Sequence, residues 1–176
     1  MNMMMKIKPF ATLVLSLLFP ALILMIVSGC VKYSFRGALP SSIKTIAIPL
    51  FEDRSNWIGL QDKMTNDVIN AFIEDNSLQV IENEDDSDLV LRATINSVSQ
   101  QLSSVAGDET VLEEKYVVSV KVECYNRQTD KLLWNGTISD FGIVPGTGGQ
   151  AEQDEAVNEA TERIVAEILN RTVAAW

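Results

Sequence analysis

Three stretches in the second half of the chain alternate apolar and polar side chains, which is typical of long β-strands with one buried face. In the first stretch every second position is apolar: Leu89, Leu91, Ala93 and Ile95. The second stretch covers residues 113–125 and the third covers 132–141, with a polar turn at 126–131 between them. The pattern predicts antiparallel strands whose apolar face must be covered by other parts of the chain.

Two segments with helical periodicity can supply that cover. Within residues 60–75 the apolar side chains recur every three or four positions: Leu60, Met64, Val68, Ile69, Phe72 and Ile73. Residues 151–173 indicate a longer closing helix, reached through a break at residues 142–149. Such helices bury their apolar stripe against a sheet.

Short strands at 44–51 and 78–81 flank the first helix and complete the order β-α-β-β-β-α. We therefore predict an α+β fold, a two-layer sandwich with two helices packed on one face of a mixed, mainly antiparallel sheet. The first two strands should be parallel, because a right-handed helical crossover connects them. Pro49 should lie at a strand end or edge, since proline cannot donate to a ladder.

The N-terminal segment has the pattern of a lipoprotein signal. A basic start with Lys6 and Lys8 precedes residues 10–27, which carry no charge, and Val27-Ser28-Gly29-Cys30 follows. Small residues directly before a cysteine suit a lipoprotein signal peptidase. We interpret residues 1–29 as a signal peptide that is removed; an uncleaved membrane-spanning helix and an ordinary secretory signal are the alternatives.

Cleavage before Cys30 would leave 147 residues and change the net charge from −10 to −12. Residues 30–42 would form a lipidated tether, and residues 43–176 a single periplasmic domain. Two acyl chains on Cys30 give stable membrane attachment. Val31 is not the aspartate that commonly retains lipoproteins at an inner membrane, which favours the periplasmic face of the outer membrane. Cys124 then has no disulfide partner, and its place on an apolar strand face predicts a buried thiol.

Composition argues against catalysis, cofactors and nucleic acid. The chain has no histidine, which removes Ser-His and Cys-His pairs and the usual zinc and haem ligands. Its acidity argues against binding nucleic acid. Residues 146–151 fit a loose G-x-G-x-x-A pattern, but no strand follows them, so no dinucleotide site is expected. The acidic segment 82–88 lacks the glycine and glutamate of an EF-hand loop, so a solvated turn is expected instead of a metal site.

One region is locally basic. Arg92 and Lys121 should lie on the outward face of two neighbouring strands, with Arg127 and Lys131 at the adjoining turn. These four residues are a candidate contact for an anionic partner such as a lipid phosphate. The alternative is a set of ordinary cross-strand charge pairs, such as Lys121 beside Glu123.

The mature chain resembles a known family. The residues that carry the resemblance are Cys30-Val-Lys-Tyr-Ser-Phe-Arg-Gly, Leu39-Pro40, Ile43-Lys-Thr-Ile-Ala-Ile-Pro-Leu-Phe-Glu, Asp88-Leu-Val-Leu-Arg-Ala-Thr-Ile, the strand Val118 to Asn126, Ile168-Leu-Asn170 and Ala175-Trp176. In this order and spacing they are similar to the LptE family of lipopolysaccharide (LPS) assembly lipoproteins, in its Bacteroidetes/Chlorobi-like form. The resemblance covers essentially the whole mature chain.

The resemblance implies a partner and a place. Members of the LptE family sit at the outer membrane with LptD, the large LPS-translocating barrel, largely inside its lumen, and they assist its assembly and LPS delivery. A net charge of −12 does not attract LPS at long range, so an LPS contact would have to be local. We therefore expect barrel binding to matter more than LPS binding.

A second resemblance defines the rival function. Ile46-Ala-Ile-Pro-Leu-Phe-Glu-Asp-Arg-Ser also looks like the first strand of periplasmic lipoproteins related to curli-secretion and cell-wall-synthase activator subunits. Such a protein would self-assemble or contact a synthase instead of a barrel.

Overall fold

Two helices pack on one face of a six-stranded mixed sheet, which confirms the predicted α+β sandwich. The computed structural model describes residues 40, 42–104, 112–145 and 148–174. Its elements are β1 (Thr45–Ala47), β2 (Glu52–Asp53), α1 (Leu60–Asp75), β3 (Gln79–Ile81), a 3₁₀ turn (Glu84–Asp86), β4 (Leu89–Ser104), β5 (Leu112–Asn126), β6 (Lys131–Val144) and α2 (Gln150–Ala174). Cys30, most of the tether and Trp176 lie outside the described residues.

The sheet order is β3-β1-β4-β5-β6, and the short β2 also pairs with β4. Strands β1 and β3 are parallel, as the helical crossover between them predicts. Strands β4, β5 and β6 pair antiparallel over almost their whole length, with a register shift in β4 between Ile95 and Ser97. The three long strands therefore form the platform of the molecule.

The first predicted strand, 44–51, is shorter than expected, and a second short strand follows it. Strand β1 ends at Ala47, and β2 forms five residues later against the middle of β4. Pro49 lies between them, where its missing N–H does not interrupt a ladder. The segment after Asp53 is a loop, as the sequence predicts, and Asn56 and Gly59 adopt positive φ there.

The core lies between the sheet and the two helices. Alternate residues of β4 and β5 point into it, and Met64, Val68 and Phe72 of α1 and Ile164 and Ile168 of α2 meet them with no exposed surface. The predicted break at residues 142–149 is shorter than expected, because β6 continues to Val144. Gly142 lies under α2 so closely that a Cβ there would come within 2.0 Å of the carbonyl oxygen of Ala156.

Candidate functional site

We use "open face" for the side of β4, β5 and β6 that points away from the helices and carries Arg92, Lys121 and Phe141. Alternation along the strands places polar side chains there because their neighbours fill the core. Near the start of β4, this face is indented by two adjoining depressions of about 410 and 380 Å³. We call the two depressions together the groove.

The groove is lined by cations that each face an acid. Its first depression is bounded by Glu84, Asp85, Val90, Arg92, Tyr125, Arg127 and Asp130. Lys121 and Glu123 bound the second depression, beside Thr94 and the loop residues Pro49 and Leu50. Glu84 and Arg92 line both depressions, so their ion pair stands at the boundary between the two.

Three short ion pairs link these groups. A guanidinium N–H of Arg92 donates to the Glu84 carboxylate at 2.7 Å, and one of Arg127 donates to Asp85 at 2.8 Å. The Lys121 ammonium lies 2.9 Å from a Glu123 carboxylate oxygen, on its own strand. All three cations remain about half exposed, so these pairs add little to stability.

The acids raise the affinity of the cations for their protons. The hydrogen bond from Arg127 to Asp85 raises the pKa of Arg127, and the Glu123 carboxylate raises the pKa of Lys121. Both cations therefore keep their charge at any physiological pH. The groove thus holds permanent positive charges that are each paired with an acid, and with Glu52 and Asp130 its lining carries five acids and three cations.

The acidic turn that supplies two of these acids is held by Asp88. The Asp88 carboxylate accepts hydrogen bonds from the backbone N–H groups of Lys44 and Thr45 at 2.8 and 3.0 Å, and from the amide of Gln128 at 2.9 Å. The Asp88 carbonyl oxygen also accepts from the N–H of Arg127 at 2.8 Å. These bonds join the start of β1, the start of β4 and the β5–β6 turn at one point.

The structure brings three of the four predicted basic residues together. Arg92, Lys121 and Arg127 line the groove, whereas Lys131, the first residue of β6, is exposed and lines neither depression. The acidic segment is a largely exposed turn, as the sequence suggests, but its Glu84 and Asp85 also form ion pairs with the two arginines. In the sequence, only the opposite charges of this segment and of the basic residues indicate that the two could pair.

The far end of the open face combines exposed apolar side chains with charged ones. Phe141 and Ile143 of β6 are 40% and 48% exposed, and the Lys115 ammonium lies 4.6 Å from the centre of the Phe141 ring. Between this end and the groove, the Ser139 hydroxyl donates to that of Ser119 at 3.1 Å. The open face thus changes along the strands from a charged groove, through a pair of hydroxyl groups, to an end where apolar side chains lie beside Lys115.

Cys124 is buried, as predicted, and its burial raises the pKa of the thiol to about 12. It is therefore a packed apolar side chain and not a nucleophile. Within residues 42–104, 112–145 and 148–174, no cluster of acids and cysteines has the geometry of a metal site. None of the described helices is long and apolar enough to cross a membrane.

The same fold occurs in solved bacterial proteins of similar size. It is similar to uncharacterized lipoprotein B from Nitrosomonas europaea, with a TM-score of 0.58 and 16% identity over 81% of this chain and 91% of that one. Protein XCC0632 from Xanthomonas campestris gives a TM-score of 0.57 with 13% identity, over 79% of this chain and 89% of that chain. A subunit of the PelC dodecamer from Paraburkholderia phytofirmans gives 0.52 with 13% identity, over 79% and 94%.

The chain is thus a small α+β sandwich with a mixed-charge open face. A comparison with curated protein sequences gives no match. The chain belongs to the LptE family, described as lipopolysaccharide-assembly, whose family model matches residues 43–172. The match spans every strand and helix of the described fold except the last two residues of α2.

Proposed function

We propose that this protein is a lipoprotein of the outer membrane, anchored through Cys30 on the periplasmic face, that binds an LptD-like LPS-translocating barrel and assists LPS assembly. The observation that carries the proposal is the family match over residues 43–172, which includes both layers of the sandwich. A small domain with a polar surface suits the polar lumen of a large barrel. In this role the protein is an assembly component and not an enzyme.

The distribution of charge supports a local LPS contact at the groove. Helices α1 and α2 carry ten acidic and three basic side chains, whereas β4, β5 and β6 carry four of each. The charges of the three long strands are therefore more balanced than those of the helices, although the acidic turn adds Glu84 and Asp85 beside the groove. At the groove an anionic headgroup would meet Arg92, Lys121 and Arg127, and Lys131 lies on the next strand.

Co-purification tests the partner. The full lipidated chain, tagged at its C-terminus, is extracted from outer membranes in mild detergent, and the proteins that accompany it are identified. We expect an LptD-like barrel in the complex. Recovery of a cell-wall synthase or of a homo-oligomeric ring, with no barrel, would favour the rival function. The PelC dodecamer shares only the fold with this chain, so it does not itself favour a ring.

Charge reversal tests the LPS contact. Arg92→Glu combined with Lys121→Glu should weaken LPS binding by about tenfold or more, because each reversal places a negative charge a few ångströms from a bound phosphate. The matched control is Lys63→Glu with Arg171→Glu, which reverses two ion-paired cations of the helices and gives the same net charge. Equal binding by both variants would remove the groove as the contact, provided that their thermal unfolding resembles wild type.

A further inference from the structure

We propose that the turn Glu84–Asp86 is a built-in competitor for the groove: its carboxylates occupy Arg92 and Arg127, and an anionic ligand must displace them. The proposal rests on the groove contact described under the proposed function. The ligand chemistry is a phosphate group, whether on a lipid headgroup or free in solution.

The geometry resembles that of a bound anion. Two carboxylates that are adjacent in sequence each meet a different guanidinium, at 2.7 and 2.8 Å, and both line the same depression. Arg92 lies in β4 and Arg127 in the β5–β6 turn, so the carboxylates of the acidic turn contact two separate parts of the depression. A phosphate placed there would meet the same two donors.

Each existing pair uses a single guanidinium nitrogen. A guanidinium offers five N–H donors, and it binds a phosphate best through two of them at once. A phosphate also carries more charge and more acceptor oxygens than one carboxylate. A phosphate can therefore replace the ion pairs of the turn with stronger contacts to the same cations. An anion with the charge of a single carboxylate would gain nothing by replacing them.

The backbone of the turn is fixed, so displacement requires only side-chain rotation. The Asn83 side chain accepts from the N–H of Asp85 at 3.1 Å, and the Ser87 hydroxyl donates to the carbonyl of Glu84 at 2.8 Å. Asp88 then ties the end of the turn to β1. Glu84 and Asp85 are partly and largely exposed, so their carboxylates can turn into solvent while the turn keeps its place.

The test removes the competing charges and leaves the cations. The full lipidated chain in detergent is titrated with purified LPS at 50 and 300 mM NaCl. Glu84→Gln with Asp85→Asn should tighten binding about tenfold at 50 mM, because two repelling charges next to the phosphate are removed. The gain should shrink at 300 mM, since exposed charges are screened.

The matched control is Glu82→Gln with Asp86→Asn, which removes two charges of the same segment that pair with neither arginine. It should tighten binding by less than twofold. Equal gains in both variants would show a general charge effect and overturn the proposal, as would no gain for Glu84→Gln with Asp85→Asn. Inorganic phosphate, added as a competitor, distinguishes the sources: displacement of LPS indicates recognition of the free anion, and persistence of LPS indicates a headgroup presented on a surface.

Failure of this proposal differs from failure of the proposed function. If Arg92→Glu with Lys121→Glu weakens LPS binding but the Glu84 and Asp85 variant gains nothing, the groove contact stands and the competitor is refuted. If the charge reversal changes nothing, the groove contact itself is wrong and the competitor fails with it. Binding to the barrel is measured separately by co-purification.

Discussion

Asp88 is the residue that joins the start of the fold to the groove. Its carboxylate accepts three hydrogen bonds from the backbone N–H groups of Lys44 and Thr45 and the Gln128 amide, and a fourth from the Thr45 hydroxyl at 3.0 Å. Without Asp88, the start of β1, the acidic turn and the β5–β6 turn would lose the hydrogen bonds that join them. The residue is structural, although it adjoins the candidate site.

Replacing Asp88 by alanine should lower the free energy of unfolding by about 2–3 kcal/mol, because charged hydrogen bonds to backbone N–H groups are lost. Urea unfolding at pH 7 measures the difference. Asp86→Ala is the control, since its carboxylate accepts only from the Asn83 amide, and it should change the free energy by less than about 0.5 kcal/mol. Equal effects of the two substitutions would contradict the role given to Asp88.

The stabilisation by Asp88 should depend on pH. The backbone hydrogen bond from Lys44 is the largest cause that lowers the pKa of Asp88, and it acts with those from Thr45 and Gln128. The folded state therefore favours the carboxylate. Its contribution is complete above the pKa of an aspartate in the unfolded chain, about 4, and is lost as the pH falls through the lower pKa of the folded state. The difference between wild type and Asp88→Ala should accordingly shrink between pH 5 and 3, and a constant difference would argue against an ionised Asp88.

At the scale of elements, helix α2 depends on a glycine in β6. Gly142 allows the backbone of Ala156 to approach the strand more closely than any side chain would permit. Gly142→Ala should therefore displace the helix or the strand and lower the free energy of unfolding by about 3 kcal/mol. Gly136→Ala in the same strand is the control, because its Cβ would meet only the flexible end of Arg171 at 3.2 Å. Thermal unfolding of both variants measures this. If Gly142→Ala lowers the stability no more than Gly136→Ala does, α2 can move away from the strand at little cost.

The sequence predicts the regular elements well, because their periodicity is written in consecutive residues. Alternation locates the long strands, and spacing of three and four locates both helices. Strand β2 could not be found this way, since two residues cannot show alternation and Pro49 precedes them. The continuation of β6 through Gly142 was hidden because glycine carries no polarity of its own.

The candidate site could be predicted only in part for a similar reason. Register along β4 and β5 brings Arg92 diagonal to Lys121, and alternation predicts that both face outward. The pairing of Asp85 with Arg127 joins residues 42 positions apart, and it depends on how the turn folds back over the sheet. That geometry depends on Asp88 and the 3₁₀ turn, which no local pattern reveals.

At the scale of the whole molecule, membrane attachment is expected to depend on one of the two cysteines. Cys30→Ser should release the protein from membranes or leave its signal peptide uncleaved, because the thiol that carries the lipid is missing. Palmitate labelling and membrane fractionation measure this. Cys124→Ser is the control and should keep the label, since that thiol is buried in the domain. Normal labelling of Cys30→Ser would refute the lipoprotein interpretation of residues 1–29.

The Asp88 junction places the groove close to the point where the chain enters the domain. The chain enters the domain at Lys44, which binds Asp88, and Asp88 also binds the hairpin that carries Arg127. With Cys30 lipidated, a tether of 13 residues would reach about 45 Å at most, so the groove would sample a small volume next to the membrane. Short tethers of this kind give effective concentrations in the millimolar range. Attachment next to the membrane would therefore let the groove meet a membrane-borne ligand even where the competing acids keep its affinity low.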